Sequence, residues 1–206
     1  MIESNVVISN LFTIPLLQIT IHEDTSEING NTDFIPSSNQ LLENTYPPFE
    51  YFRALEKYPN TKNILLKNIR SGLKTLGYVT EFDLSTSWFT KIDKGDSAPI
   101  HNHKNCWFSA VYYYGNYDNN SGKFVIHNPL KNLASFDDKI INPNKFNIPM
   151  AVIEPERKKM IIFPSYLYHS IDQHVSELTR YSLAINIVPV GSYGKESDSR
   201  YDTSWY

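Results

Sequence analysis

Two histidines separated by one residue, His101 and His103, are the first residues of this sequence that could carry chemistry. In a β-strand, residues i and i+2 point to the same face, so both imidazoles could bind one metal ion from neighbouring positions. Neutral imidazole is a common ligand of transition metals. A pair of solvated loop histidines on either side of Asn102 is the alternative interpretation, and the pair alone leaves both open.

A third histidine and an arginine follow in the last quarter of the chain. His169 closes the apolar segment that begins at Phe163, and Arg180 opens another apolar segment with Ser182 on the same face. Because the charge of an arginine cannot be neutralised, an arginine that faces a β-core needs an anion. Its guanidinium group matches a carboxylate bidentately, and a serine hydroxyl adds a donor. The alternative interpretations are that His169 has only a structural role and that Arg180 forms a salt bridge at the surface.

Together these residues predict a nitrogen-rich metal site with open positions, which suits non-haem iron. The pattern resembles the double-stranded β-helix Fe(II)/2-oxoglutarate dioxygenases, whose motif is His-x-Asp/Glu, a distal His and then Arg-x-Ser. Within that superfamily, the chain is most similar to the 2OG-Fe(II) oxygenase family related to the prolyl hydroxylases. The similarity spans about residues 10–190 and is densest after residue 85. The segments that carry it are Asn10–Leu16, Ser87–Trp88 with Gly95–Asp96, Ser109–Tyr114, Gly122–Phe124 with Asn128–Pro129, Phe163–Ser165 with His169, and Arg180–Asn186.

The resemblance implies a role for each of five residues. His101 and His169 would be the first and the distal iron ligands. Arg180 would bind the 5-carboxylate of 2-oxoglutarate with the assistance of Ser182. Tyr113 matches a strand tyrosine whose hydroxyl reaches the same carboxylate, with a core aromatic as its alternative role.

One residue departs from the family's motif. His103 stands where most of the superfamily has a carboxylate, so the metal would meet three imidazoles and carry one more unit of positive charge. The expected metal ligands are therefore His101, His103 and His169. Asp96 is an alternative carboxylate, although its position also suits a turn.

The resemblance therefore implies an Fe(II)- and 2-oxoglutarate-dependent dioxygenase. It would hydroxylate an amino-acid side chain, a peptide or another small molecule, using O2 and converting 2-oxoglutarate to succinate; ascorbate is a candidate stimulant. One alternative is a three-histidine cupin-type dioxygenase that does not use 2-oxoglutarate, which the Arg180 and Ser182 pair disfavours. The other is a non-catalytic β-sandwich binding module.

The elements that must position these residues are mainly strands. An amphipathic helix begins near Thr61 and ends at Gly77, and a shorter helix is plausible over Phe49–Tyr58. The predicted strands are Leu11–Ile21, Tyr78–Ile92, Trp107–Tyr114, Lys123–His127, Met160–Phe163, Ser165–Ile171 and Arg180–Val188. The fold expected is a double-stranded β-helix, a cupin-like jelly roll with N-terminal helices packed on one face.

Length and composition agree with this expectation. The 206 residues fit a single domain, with an N-terminal strand and helices over 1–77, the β-core over 78–190 and a polar tail over 191–206. The aromatic content of 14% favours strands and cavity walls. A net charge of −3 without a Lys/Arg block does not predict a nucleic-acid partner.

The remaining expectations concern the compartment and the partners. A single cysteine, Cys106, is typical of a reducing compartment, so we expect a cytoplasmic protein. The apolar stretch near the N-terminus is interrupted by Pro15 and Gln18, which predicts no signal peptide and no membrane association. The expected partner is a small-molecule or peptide substrate, and the oligomeric state, a homodimer included, is left open.

Overall fold

A computed structural model of the chain describes residues 13–35, 49–130, 141–193 and 201–202. Within these ranges the structure consists mainly of β-strands, with one α-helix and three short 3₁₀ helices. The elements are β1 Leu17–Thr20, α1 Pro59–Thr75, β2 Glu81–Ile92, β3 Ala98–His101, β4 Phe108–Tyr113, β5 Phe124–His127, β6 Met150–Ile153, β7 Lys159–Pro164, β8 His169–Ile171, β9 Arg180–Val190, β10 Ser192–Tyr193 and β11 Tyr201–Asp202.

The strands form two antiparallel sheets of the jelly-roll type, which confirms the predicted fold class. The major sheet has the strand order β1-β7-β4-β9-β2, and the minor sheet has the order β3-β8-β5-β6. Strands β10 and β11 pair only with each other among the described residues. Since neighbours in each sheet are distant in the chain, the fold brings residues from far-apart motifs onto one wall.

The outer face of the major sheet packs against α1. Leu65, Ile69 and Leu73 follow the spacing of one helix face, and they are buried in a cluster with Phe82 and Phe89 of β2. Burial of a large apolar side chain contributes about 1.5–3 kcal/mol. This layer explains why the N-terminal third of the sequence is needed to cover the sheet.

The inner face of the major sheet packs against the minor sheet. Tyr113, Ile161 and Phe163 from the major sheet share a buried cluster with Phe124 and Ile153 from the minor sheet. Successive side chains of β7 therefore point to opposite faces of the sheet: Ile161 and Phe163 face the minor sheet, and Ile162 belongs to the cluster that contains the buried residues of α1. A strand buried on both faces reads as a continuous apolar run in the sequence, as β7 does.

The predicted helix near Thr61 is confirmed as α1, with proline at its first position and a following glycine, Gly77, at φ +87°. The prediction of a helix over Phe49–Tyr58 is wrong. This region forms two 3₁₀ helices, Phe49–Phe52 and Ala54–Lys57. The backbone N–H of Leu55 donates to the Ser87 hydroxyl at 3.0 Å, which ties the segment to β2.

Strand boundaries account for the other differences. The predicted strand Ser165–Ile171 is reduced to β8, because the Leu167 N–H closes a turn on the Pro164 carbonyl at 3.1 Å. Strands β3 and β6 were not predicted. The early strand is confirmed over β1, and its first two predicted residues lie outside the described ranges. No helix in the described ranges has the length and apolar character needed to cross a lipid bilayer.

Candidate metal and cosubstrate site

Three histidines converge at one end of the minor sheet. His101 and His169 are partners in the antiparallel register of β3 and β8, and His103 follows two residues after β3 ends. One candidate ligand nitrogen from each residue lies within 4.8 Å of the other two. The imidazole ring centroids are 4.4, 5.0 and 5.4 Å apart. The three residues predicted to bind iron therefore form one cluster, and a single cation could reach all three nitrogens.

Hydrogen bonds orient two of these rings in the same way. His101 Nδ1 lies 2.8 Å from the carbonyl oxygen of Pro99, and His169 Nδ1 lies 3.0 Å from the carbonyl oxygen of Leu167. A carbonyl oxygen can only accept, so each Nδ1 carries the hydrogen and donates it. The lone pair is then on Nε2 in both rings, as a metal ligand requires.

Burial keeps two imidazoles of the cluster, those of His103 and His169, neutral. His169 is almost fully buried, and this burial lowers its pKa to about 3. Burial is also the main cause that lowers the pKa of His103. Neutral rings at pH 7 have a free lone pair, so a cation would not have to displace a proton from them.

The alternative carboxylate, Asp96, is not part of this cluster. Its backbone N–H donates to the Asp93 carbonyl at 3.0 Å, and its own carbonyl accepts the His174 N–H at 2.9 Å. These bonds place Asp96 in a turn, where the sequence also allowed it. Among the described residues, the candidate metal-binding groups at this end of the sheet are three imidazoles.

Arg180 is completely buried and holds a charge that no described carboxylate neutralises. Its Nε donates to the Gly122 carbonyl and its Nη1 donates to the Ser182 hydroxyl, both at 2.9 Å. Its Nη2 has no hydrogen-bond partner among the described residues. Because an isolated buried charge is strongly unfavourable, this geometry calls for an anion at Nη2.

Tyr113, beside Arg180, is the second residue with a buried polar group that lacks a hydrogen-bond partner among the described residues. Its ring centroid lies 5.2 Å from the Arg180 guanidinium carbon, and its buried hydroxyl has no hydrogen-bond partner among the described residues. Burial raises the pKa of this hydroxyl, an effect that the charge of Arg180 partly offsets. The hydroxyl therefore stays protonated and can donate to an anion that also meets Arg180.

Three further side chains lie near the cluster. His127 Nε2 is 3.1 Å from the Ser170 hydroxyl, which gives this ring a structural contact on the minor sheet. The ring of Trp88 lies 5.4 Å from that of His103, so it packs beside a candidate ligand. Asn186 contacts His103 directly, a contact that the sequence did not predict.

Sequence reasoning also missed the support behind Arg180. The Gly122 N–H donates to His174 Nδ1 at 2.9 Å, and His174 Nε2 donates to the Leu178 carbonyl at 2.6 Å. The carbonyl that holds Arg180 Nε is thus fixed through a buried, neutral histidine. A polar turn in the sequence gave no signal of this, because the contact joins residues 52 apart in the chain.

Replacing Gly122 with alanine is expected to destabilise the protein. A Cβ there would lie 3.0 Å from the Asp172 carbonyl oxygen and 3.0 Å from Ile171 Cγ2, so the backbone that supports Arg180 would have to move. Overpacking of this kind costs about 1–3 kcal/mol. Urea unfolding measures the difference. Gly30→Ala is the matched control, since nothing lies within 4 Å of its Cβ, and equal stability of the two variants would contradict the packing described.

A separate cleft of about 400 Å³ lies beside Tyr114, Asn116, Thr179 and Tyr181. None of the three histidines of the cluster lines it, and neither does Arg180. The chemistry-bearing residues are therefore on the inner wall of the jelly roll rather than in this cleft.

Comparisons with known proteins agree with this placement. Residues 86–186 match a protein family described as "Putative 2OG-Fe(II) oxygenase". This range contains all three histidines of the cluster, Arg180, Ser182 and Tyr113. No curated protein matches the sequence.

Solved structures also resemble the chain. HygX from Streptomyces hygroscopicus, solved with nickel and 2-oxoglutarate bound, is 13% identical with a TM-score of 0.53, and the match covers 86% of this chain and 83% of HygX. This likeness shows the fold.

Two others are more distant in structure. A 2OG-Fe(II) oxygenase family oxidoreductase from Burkholderia pseudomallei is 17% identical, with a TM-score of 0.44 and coverage of 56% of this chain and 48% of that one. A Pseudomonas putida prolyl-4-hydroxylase is 18% identical, with a TM-score of 0.37 and 58% coverage of each chain. The chain thus spans less than two thirds of the length of either structure.

The family match falls on the strands that carry the histidine cluster and the buried arginine, and the fold is the one expected for that match. Residues 86–186 of the chain therefore match the 2OG-Fe(II) oxygenase family, and the chain has the double-stranded β-helix fold.

Proposed function

We propose that this protein is an Fe(II)- and 2-oxoglutarate-dependent dioxygenase whose iron is held by His101, His103 and His169. Arg180, with Ser182 and Tyr113, would bind the 5-carboxylate of 2-oxoglutarate. The observation that carries the proposal is the unmet hydrogen-bonding capacity of two fully buried groups, Arg180 Nη2 and the Tyr113 hydroxyl.

The donor set fits a divalent transition metal. Three imidazoles, two of which have Nε2 free because their Nδ1–H groups donate to backbone carbonyls, suit iron and leave positions open for a chelating ligand. HygX, which shares the fold over most of this chain, was solved with nickel and 2-oxoglutarate. The proposal transfers that pair of ligands to the present site, with Fe(II) in place of nickel.

Short side chains lie on the strands between the two parts of the proposed site. Ala184 on β9 is the residue between Ser182 and Asn186 on one face, and its register partner on β4 is Val111. Short side chains at this position support the placement of a small dicarboxylate between the arginine and the histidine cluster. A fork of guanidinium N–H donors at one end then matches the carboxylate farther from the metal.

The protein's own residues would act by orientation and by exclusion of water. Arg180 would neutralise one carboxylate and so decide which end of 2-oxoglutarate meets the metal, while Tyr113 would donate to the same group. The rings of Phe124 and Phe163 lie 5.2 and 4.9 Å from that of His169 and shield it from solvent. When bound, iron and 2-oxoglutarate would supply the activation of O2, with 2-oxoglutarate oxidised to succinate and CO2 and the substrate hydroxylated.

The proposed substrate is an amino-acid side chain, a peptide or another small molecule, in the cytoplasm. O2 is the oxidant and ascorbate a stimulant. A three-histidine dioxygenase of the cupin type, without 2-oxoglutarate, is the second candidate, because the metal-binding set lacks a carboxylate. The buried Arg180 favours the first candidate, because the 5-carboxylate of 2-oxoglutarate is an anion that can meet its unpaired Nη2.

Anaerobic titration tests the proposal. Fe(II) and then 2-oxoglutarate are added to the purified protein, and we expect each to bind with one-to-one stoichiometry by calorimetry. Metal binding without 2-oxoglutarate binding would support the cupin-type enzyme, and absence of metal binding would support a β-sandwich binding module. Release of succinate in air, screened across amino acids, peptides and nucleosides, then identifies the substrate class.

A further inference from the structure

We infer that Asn186, anchored by Thr86, is the positioning residue that makes His103 a neutral metal ligand through Nε2. The inference rests on the proposed function, and it concerns the one ligand at which this chain departs from the family's motif. Where the motif has a carboxylate ligand, this chain would use the imidazole of His103, whose Nδ1 contacts the side-chain amide of Asn186.

The side-chain amide of Asn186 joins Thr86 to His103. Its Nδ2 donates to the Thr86 hydroxyl oxygen at 2.9 Å, and its Oδ1 lies 2.6 Å from His103 Nδ1. Thr86 and Asn186 are register partners on β2 and β9, next to an irregularity between Leu84 and Thr86. In this orientation the amide oxygen, and not the amide N–H, meets the imidazole, while the Thr86 hydroxyl on the paired strand accepts from the amide N–H.

This orientation determines the tautomer of His103. An amide oxygen can only accept, so Nδ1 of His103 carries the hydrogen. The Ser109 hydroxyl lies 3.0 Å from the same Nδ1 and donates to Asn186 Oδ1 at 3.1 Å, so it too can accept from the ring. The lone pair of His103 is consequently on Nε2, as it is on Nε2 of His101 and His169.

The three rings differ in what holds their Nδ1–H. For His101 and His169 the acceptor is a backbone carbonyl two residues earlier, which a side-chain substitution leaves in place. For His103 it is a side chain 83 residues away, on the strand that also carries Arg180. His103 is therefore the ligand whose geometry depends on a replaceable residue.

The neutral amide also sets the charge of the site. A carboxylate ligand would lower the net charge at the metal by one unit, and an aspartate behind the imidazole would increase the basicity of the ring. Asparagine does neither, so a divalent metal in this site keeps its full charge. Asn186→Asp then separates the effect of the hydrogen bond from the effect of charge, because it keeps an acceptor for His103 Nδ1 while it adds a negative charge.

The test is the affinity for Co(II), measured by calorimetry on the full chain. Loss of a hydrogen-bond partner behind a histidine ligand typically costs about 10–100-fold in metal affinity, and we expect this for Asn186→Ala. Asn186→Asp should retain the affinity of the unmodified protein or increase it. Thr86→Val should weaken binding less than Asn186→Ala. Thr75→Val, on α1 with a hydroxyl that donates only to the Gly72 carbonyl, is the matched control and should change nothing.

The same substitution in a His103→Asp variant tests whether Asn186 acts through His103. In His103→Asp the ligand no longer has an Nδ1–H, so Asn186→Ala should cost little there, and the double-mutant cycle should show strong coupling. A merely structural role for Asn186 predicts the same cost in both backgrounds. Equal Co(II) affinity of Asn186→Ala and the unmodified protein would overturn the inference and leave the proposed function standing.

Nuclear magnetic resonance provides a readout that needs no variant. In the Zn(II)-loaded and metal-free proteins, the imidazole nitrogens of His103 should show a hydrogen on Nδ1 that exchanges slowly with solvent. A hydrogen on Nε2 in the metal-free protein would overturn the inference even if Asn186→Ala failed to fold. Failure of the unmodified protein to bind Co(II) or Fe(II) would instead overturn the proposed function.

Discussion

Replacing Arg180 with alanine is expected to weaken 2-oxoglutarate binding by more than about 100-fold, since two charge-assisted hydrogen bonds are worth roughly 1.5–3 kcal/mol each. Affinity for the metal should change little, because Arg180 is not one of the clustered metal-binding side chains. Calorimetric titration of 2-oxoglutarate into the Co(II)-loaded variant, followed by titration of Co(II) into the metal-free variant, separates the two effects.

The controls for this prediction are other arginine variants. Arg157→Ala removes an exposed arginine that donates to the Asn116 amide oxygen at 2.8 Å, and it should bind 2-oxoglutarate normally. Arg180→Lys keeps the charge but loses the fork of donors, so an intermediate loss is expected. Circular dichroism checks that each variant is folded. Unchanged 2-oxoglutarate binding in folded Arg180→Ala would refute the cosubstrate assignment.

The sequence predicted the strands whose side chains alternate or form long apolar runs, and it missed the short exposed ones. Strand β3 contains Pro99, and proline within a run argues against a strand unless it lies at an edge; the register shows β3 at an edge of the minor sheet. Strand β6 forms the other edge, and three of its four residues are exposed. Edge strands bury few side chains, so the apolar pattern by which a strand is predicted from the sequence is weak in them.

The predicted helix over Phe49–Tyr58 was wrong for a different reason. Local periodicity cannot anticipate that the Leu55 N–H is taken by the Ser87 hydroxyl, 32 residues away in the chain. Tertiary contacts of this kind override a weak helical preference.

For the site, residue types and short spacings predicted which side chains would come together, and the structure places His101, His103 and His169 in one cluster. What the sequence could not provide is the set of acceptors and donors behind them. The contact of Asn186 with His103 and that of Gly122 with Arg180 join β9 of the major sheet to segments beside the minor sheet, over separations of 83 and 58 residues. Such contacts depend on how the two sheets pack against each other, whereas a motif is local.

Replacing His169 with alanine is expected to abolish metal binding, and with it any metal-dependent reaction. Loss of a partner behind a ligand already costs about 10–100-fold in affinity, so loss of the ligand itself should cost more than that range. His169 is the most buried of the three, and its removal also leaves a cavity between Phe124 and Phe163. Titration with Co(II), read by calorimetry, measures the loss.

The cavity makes this variant informative, because free imidazole is the fragment that the substitution removes. If the loss reflects a missing ligand, added imidazole should restore part of the Co(II) affinity of His169→Ala; if it reflects misfolding, imidazole should do nothing. His127→Ala is the matched control, since His127 lies on β5, the strand that pairs with β8, and its Nε2 lies 3.1 Å from the Ser170 hydroxyl. That control should bind Co(II) as the unmodified protein does. Equal losses in His127→Ala and His169→Ala would mean that the minor sheet as a whole, rather than the three-histidine cluster, supports metal binding.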